Sequence, residues 1–131
     1  MHGADVVCCC TDSAEPVIEY RWLRPGAHVN SIGANFEGPE LDPDTIARGR
    51  LVVESRAAFQ PPPVGCRELQ GLSPDSAVEL GEVLMSAQRG RHDGDEVTVY
   101  KSMGHAVEDA AAAHLVYERA VREGVGTSLT L

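Results

Sequence analysis

The stretch Val97-Thr98-Val99-Tyr100-Lys101-Ser102-Met103-Gly104-His105-Ala106-Val107-Glu108-Asp109 decides the fold. Val97 to Tyr100 is a short run of β-branched and aromatic residues, which suits a buried strand. Lys101-Ser102-Met103-Gly104 reads as a turn. From Gly104 to Glu123 the spacing is helical, with Val107, Ala111 and Leu115 expected on a broad inward face. Ser102 is expected to cap this helix and Gly104 to ease its start. Glu108 and Asp109 fall in the first turn, where the helix dipole favours negative charge. Glu118 with Arg122, and Arg119 with Glu123, are expected i,i+4 pairs. Gly124 and Gly126 end the helix.

Upstream, strands and helices alternate. Ala4 to Thr11 (ADVVCCCT) is a continuous apolar run, of the kind expected in a strand buried on both faces. Val17 to Leu23 suggests a helical turn before Pro25-Gly26. Ala27 to Ile32 is a second strand, closed by Gly33. Asp42-Pro43-Asp44 has the chemistry of a helix start, and that helix ends near Gly49. Leu51 to Ser55 is a third strand. Arg56 to Gln60 adds a helical turn that Pro61-Pro62-Pro63 must stop, and residues 61–72 read as an irregular loop. Ser73-Pro74 opens another helix, with Leu80, Val83, Leu84 and Ala87 as its apolar stripe. Gly90 to Glu96 is a polar connection. The pattern predicts an α/β fold: a partial Rossmann-like domain, half of a doubly wound and mainly parallel sheet, with a long C-terminal helix.

A chain of 131 residues supports one domain, spanning residues 1–131, with a core that needs no disulfide. The net charge of -9 argues against a nucleic-acid partner, which needs a basic face. No apolar run is long enough to span a bilayer, and no secretory leader pattern is present. Cys8, Cys9 and Cys10 are consecutive, and neighbouring strand residues point to opposite faces. They therefore do not converge on a metal, and three small apolar side chains in a buried strand are expected instead. Such cysteine usage points to a reducing cytoplasm. His28, His92, His105 and His114 show no metal spacing, and no metal site is expected.

The order of pieces resembles the C-terminal part of the ornithine cyclodeaminase/μ-crystallin family. The pieces are "ADVVCCCTDSAEPVI", "LRPGAHVNSIGAN", "PELDPDTIARGRLVVES", "ELGEVLMSAQRGR", "VTVYKSMGHAVEDAAAAHLVYERA" and "GVGTSLTL". Together they run from Ala4 to Leu131. The resemblance implies a Rossmann domain that holds NAD or NADP, with sheet order 3-2-1-4-5-6 when complete. Only the second half would be present here. The Gly-rich pyrophosphate fingerprint is absent from the sequence, as is the acidic residue for the ribose. The family's substrate-handling Lys and Arg would lie upstream of Met1.

One departure concerns chemistry. Where cyclodeaminase and alanine-dehydrogenase members carry "GAD…ELD", this chain has Gly33-Ala34-Asn35 and Glu40-Leu41-Asp42. An amide is no carboxylate base. That favours ketimine or pyrroline-carboxylate reductase ancestry over deamination.

The cofactor-binding residues that the resemblance implies are Thr11, Asp12 and Ser13 after the first strand, Asn30, Ile32 and Gly33 at the end of the next, and Lys101, Ser102 and Gly104. No catalytic residue is assigned. On the residues alone, Thr11 to Ser13 is a turn and Gly33 eases a strand end. Three functions stay open. The first is a remnant of an NAD(P)-linked oxidoreductase acting on cyclic imines or amino/2-oxo acids, not catalytic alone. The second is a non-catalytic nucleotide-binding or protein-interaction module, homodimeric through an exposed first-strand edge. The third is a redox sensor, which would need an exposed thiol of low pKa.

Overall fold

A computed structural model describes residues 3–33 and 37–129. Five short strands form one sheet: β1 (Val6–Cys9), β2 (His28–Ser31), β3 (Arg50–Val53), β4 (Val78–Glu79) and β5 (Thr98–Lys101). Every pairing is parallel, in the order β1-β2-β5-β3-β4. With helices α1 (Pro43–Arg48), α2 (Leu80–Leu84) and α3 (Ala106–Glu123), this is the expected α/β, Rossmann-like architecture. No helix among the described residues is long and apolar enough to cross a membrane. The last strand enters between β2 and β3, so the third strand does not neighbour the second as a simple 4-5-6 run would require.

The register splits the sheet into two faces. Val7, Val29, Val99 and Leu51 form one row, and Cys9, Ser31, Lys101 and Val53 the next. These rows point to the front, where Ile18, Leu41, Ile46, Ala58, Cys66 and Leu69 complete the hydrophobic core. On the back, Val6, His28, Thr98 and Arg50 align, as do Cys8, Asn30, Tyr100 and Val52. The back is covered only in part. Thr98, Val52 and Val78 are buried, whereas Val6 is 57% exposed.

β1 therefore departs from the expected strand buried on both faces. Among the described residues it pairs with β2 alone, and only Cys9 of its thiols is buried; Cys8 and Cys10 are exposed. Cys66 is buried as well. Burial, helped by nearby Glu40, pushes the Cys9 thiol up to about 11, and burial with Glu68 nearby does the same for Cys66.

α1 forms for the reasons its sequence gives. Asp42 Oδ1 accepts from Thr45 N at 3.2 Å, Pro43 opens the first turn and Gly49 closes the helix. The helix expected from Ser73 does not form. Residues Pro74–Ser76 make a 3-10 turn capped by Ser73, and Val78 is drawn into the sheet beside Val52. Only Leu80–Leu84 become helical, with Gly81 inside the segment as a weak helix former. Leu84 is exposed, so its apolar stripe covers little.

α3 departs furthest. It has the expected length and a left-handed Gly124 at its end, yet no residue of it is buried. Leu115 is 67% exposed and Tyr117 68% exposed. The Arg119–Glu123 pair forms at 2.8 Å, while Glu118 meets His114 at 3.4 Å instead of the expected Arg122. The helix begins at Ala106 with His105 in the capping position, so Ser102 is not its cap.

Candidate functional site

The carboxyl ends of β1, β2 and β5 meet at one place, as parallel strands require. The residue that joins them is Glu40, just ahead of α1. The segment carrying it is pinned by a bond from Val17 N to Glu40 O at 2.9 Å and by the Ile18–Leu41 bridge. Its side chain reaches back across the strand ends and is 2% exposed.

Among the described residues, the Glu40 carboxylate accepts four hydrogen bonds. Thr11 donates its backbone N–H at 2.7 Å and its hydroxyl at 2.8 Å. Ser31 donates its hydroxyl at 2.6 Å and Gly33 its backbone N–H at 3.0 Å. Burial alone would push the Glu40 carboxyl up. The bonds from Ser31, Thr11 and Gly33 outweigh it and hold the carboxyl below the usual carboxylate range. One side chain thus fixes the loop after β1 to the loop after β2.

Gly33 is required by this closeness. A Cβ there would lie 2.2 Å from Glu40 Oε1 and 2.4 Å from Thr11 O. The tight approach, and not an unusual backbone angle, excludes a side chain.

Lys101 lies beneath the same loops and is fully buried. Its Nζ donates to Gly33 O at 2.7 Å and Ser31 Oγ at 3.1 Å, and sits 3.3 Å from Glu68 Oε1. Glu68 Oε1 also accepts from Glu40 N at 2.8 Å. Buried charge is tolerable where each group has partners. Here two carboxylates and one ammonium share a continuous set of donors and acceptors.

The predicted residues therefore divide. Thr11, Gly33 and Lys101 converge on the Glu40 cluster. Ser13 continues it, donating its N–H to Thr11 Oγ1 at 3.3 Å. Asp12 and Ile32 sit exposed at the rim of the loops. Asn30 points to the back face, where its Oδ1 lies 3.2 Å from His28 Nε2. Ser102 and Gly104 belong to a neighbouring cluster around Glu54 at the end of β3. The Ser102 hydroxyl donates to Glu54 Oε2, which also accepts from Met103 N at 3.1 Å and Gly104 N at 3.0 Å. The amides expected to meet a ligand are thus engaged by a carboxylate of the chain itself. Asn35, whose amide marks the chemical departure from "GAD", lies outside the described residues. Sequence reasoning quoted Glu40 only within the Glu40-Leu41-Asp42 motif, without a role, and singled out neither Glu54 nor Glu68. Among the described residues, no His, Cys, Asp and Glu side chains gather as a metal site.

Comparison with known proteins places this geometry. The ornithine cyclodeaminase/mu-crystallin family pattern matches residues 1–124. Mouse ketimine reductase mu-crystallin is 40% identical over 117 residues, covering 88% of this chain and 36% of the relative. Among solved structures, Thermococcus litoralis Δ1-pyrroline-2-carboxylate reductase in complex with NADH and L-proline superposes with a TM-score of 0.78 at 32% identity. It covers 98% of this chain and 41% of that one. An archaeal alanine dehydrogenase dimer with bound NAD gives a TM-score of 0.64 at 28% identity, covering 97% of this chain and 41% of that one. The chain spans about two fifths of the length of these relatives.

Proposed function

The chain belongs to the ornithine cyclodeaminase/mu-crystallin family, and from that premise we propose that its Glu40-tied loops form one wall of an NAD(P) site. The reaction proposed for that site is hydride transfer involving cyclic imines or amino and 2-oxo acids. The observation that carries this reading is the Glu40 carboxylate bonded to both Thr11 and Gly33. Open parallel sheets bind ligands beyond the carboxyl ends of their strands, and these two loops are held in fixed relation there.

The cofactor, when bound, supplies the hydride; the chain supplies shape and fixed dipoles. In this proposal Thr11, Asp12, Ser13, Ile32 and Gly33 border the dinucleotide. Lys101 supports the Gly33 loop from beneath, and Ser102 and Gly104 flank it through Glu54. Asn30 acts from the back face. The sequence holds no G-x-G-x-x-G stretch for the pyrophosphate. We therefore propose that this chain alone performs no hydride transfer. The four free cysteines fit a reducing, cytoplasmic setting.

A second reading rests on β1, which among the described residues pairs with β2 alone. An edge strand with unpaired backbone groups recruits another strand, and this supports a homodimer formed through β1. The relative described as a dimer is an alanine dehydrogenase.

Calorimetric titration of the chain with NADH and NADPH, with its mass measured in the same buffer, tests both. The nucleotide reading expects saturable binding of one of the two; no heat at millimolar ligand would overturn it. The dimer reading expects twice the chain mass, and a monomer at high micromolar concentration would overturn it.

A further inference from the structure

Two apolar surfaces of this chain lack a partner among the described residues, and they match each other. The first is α3. Ala106, Ala110, Ala113, Tyr117 and Val121 recur at helical spacing and form one apolar stripe. Asp109 and Glu118 flank it, one on each side. Tyr117 and Val121 are exposed, and no residue of the helix is buried. Helices in water are stabilised mostly by packing such a stripe.

The second surface is the back of the sheet. A parallel sheet is ordinarily covered on both faces. Here a groove of about 480 Å³ stays open beside α2, lined by Val52, Tyr100, Leu80, Val83, His28 and Arg91. The His28 ring is engaged by Thr98 Oγ1 at 2.7 Å, which leaves an apolar floor. The rim is basic. Arg89 lines the adjoining hollow, and Arg50 donates to Arg89 O at 3.0 Å. Arg50 Nε is shielded from solvent and has no acceptor. Among the described residues, Arg50, Arg89 and Arg91 form no ion pair, whereas Arg21, Arg24, Arg56 and Arg119 each meet a carboxylate. The nearby Asp93 accepts from Asp95 N and Glu96 N, and Glu96 accepts from His92 N, so both acids are turned to their own loop.

α3 is held away from its own groove. Only Ser102 to His105 separate it from β5. Glu54 Oε2 pins that link through Ser102 Oγ, Met103 N and Gly104 N. Folding the helix back over the sheet would break these bonds. We propose that α3 of one copy lies in the back groove of a second copy, reciprocally, in a closed two-fold dimer. Tyr117 and Val121 enter the groove, and Asp109 and Glu118 face the arginine rim. The acid-flanked stripe and the basic groove make the chain complementary to itself. Two helix faces of about 27 Å by 10 Å, each on an equal area of sheet, bury about 1,100 Å² in total. That is near the lower limit for a specific interface, so a micromolar dimer is expected. Strand pairing at β1 plays no part in it.

The test is sedimentation velocity of the full chain across the micromolar range. The proposal expects a monomer–dimer equilibrium that weakens as salt rises. Tyr117→Glu on the helix and Val83→Glu in the groove should each weaken dimerisation about tenfold. Arg89→Glu, on an exposed side chain, should weaken it about threefold, and it keeps the test decisive if Val83→Glu fails to fold. Mixing Tyr117→Glu chains with Val83→Glu chains leaves one helix–groove contact intact. The mixture should therefore associate more than either variant alone. A monomer at high micromolar concentration would overturn the proposal, as would a mixture no more associated than its components. A dimer unmoved by Tyr117→Glu and Arg89→Glu would overturn it too, and would point to the β1 edge instead.

Discussion

The Glu40 cluster and α3 are opposite solutions to the same problem. Around Glu40, charged and polar groups are buried and each finds partners: Thr11, Ser31 and Gly33 on the carboxylate, Gly33 O and Glu68 around Lys101. Along α3, apolar side chains such as Val107, Leu115 and Val121 stand in solvent. The polar cluster costs desolvation and returns a fixed geometry for two loops. The helix exposes apolar area, and none of its residues is buried. The contrast separates what holds this fold together from what is offered outward. It also explains why a chain of net charge -9 carries its most buried cation, Lys101, under the candidate site.

Mutation of the cluster should have the largest effect. Glu40→Ala leaves the Thr11 and Ser31 hydroxyls and the Thr11 and Gly33 amides without their acceptor, and is expected to cost about 3–5 kcal/mol in urea unfolding. A loss under 1 kcal/mol would erase the contrast with α3. Gly33→Ala forces a Cβ against Glu40 and Thr11 O, and should cost about 1–3 kcal/mol. It should also weaken any nucleotide binding. Asp42→Ala removes the α1 cap at about 1 kcal/mol, a local yardstick between the two extremes. Val121→Gln in α3 should change monomer stability by less than about 0.5 kcal/mol. A larger loss would show that α3 is covered in solution.

Titration sharpens the same comparison. The Glu40 carboxyl is held low in the folded chain, so its contribution is full above the ordinary carboxylate range and is lost as pH falls through the folded value. Glu40→Gln should remove that part of the acid dependence. Cys9 and Cys66, raised to about 11, favour the folded state below the ordinary thiol range, and this is lost as pH rises towards 11. In native thiol labelling at pH 8, Cys8 and Cys10 should react in a fast phase and Cys9 and Cys66 in a slow one. Four fast thiols would mean that the front core opens readily.

Much of the fold is legible in short sequence rules. Asp42-Pro43 marks α1 because capping is a local act, and Gly124 ends α3 for the same reason. The strands announce themselves by their apolar runs. The failures share one cause: burial is settled by partners far along the chain. The run Ala4 to Thr11 looks doubly buried, yet whether its back face is covered depends on residues elsewhere. α3 has a broad small-residue face whose partner its own sequence does not specify. Val78 leaves a helical pattern because Val52 offers it a parallel neighbour.

The site shows the same division. Thr11, Gly33 and Lys101 were readable from the family resemblance. The sequence reading put Lys101 in the turn after Tyr100, whereas β5 runs to Lys101 and buries it. Glu40 acts across 29 residues to Thr11, and Glu54 across 48 to Ser102; spacing gives no signal of either.

The most direct test of the account is to record backbone amide shifts of the chain during titration with NADH and with NADPH. The account predicts saturable changes concentrated at Thr11, Asp12, Ser13, Ile32 and Gly33 with one of the two. No change at millimolar concentrations of either, or changes confined to α3 and the back face, would contradict it.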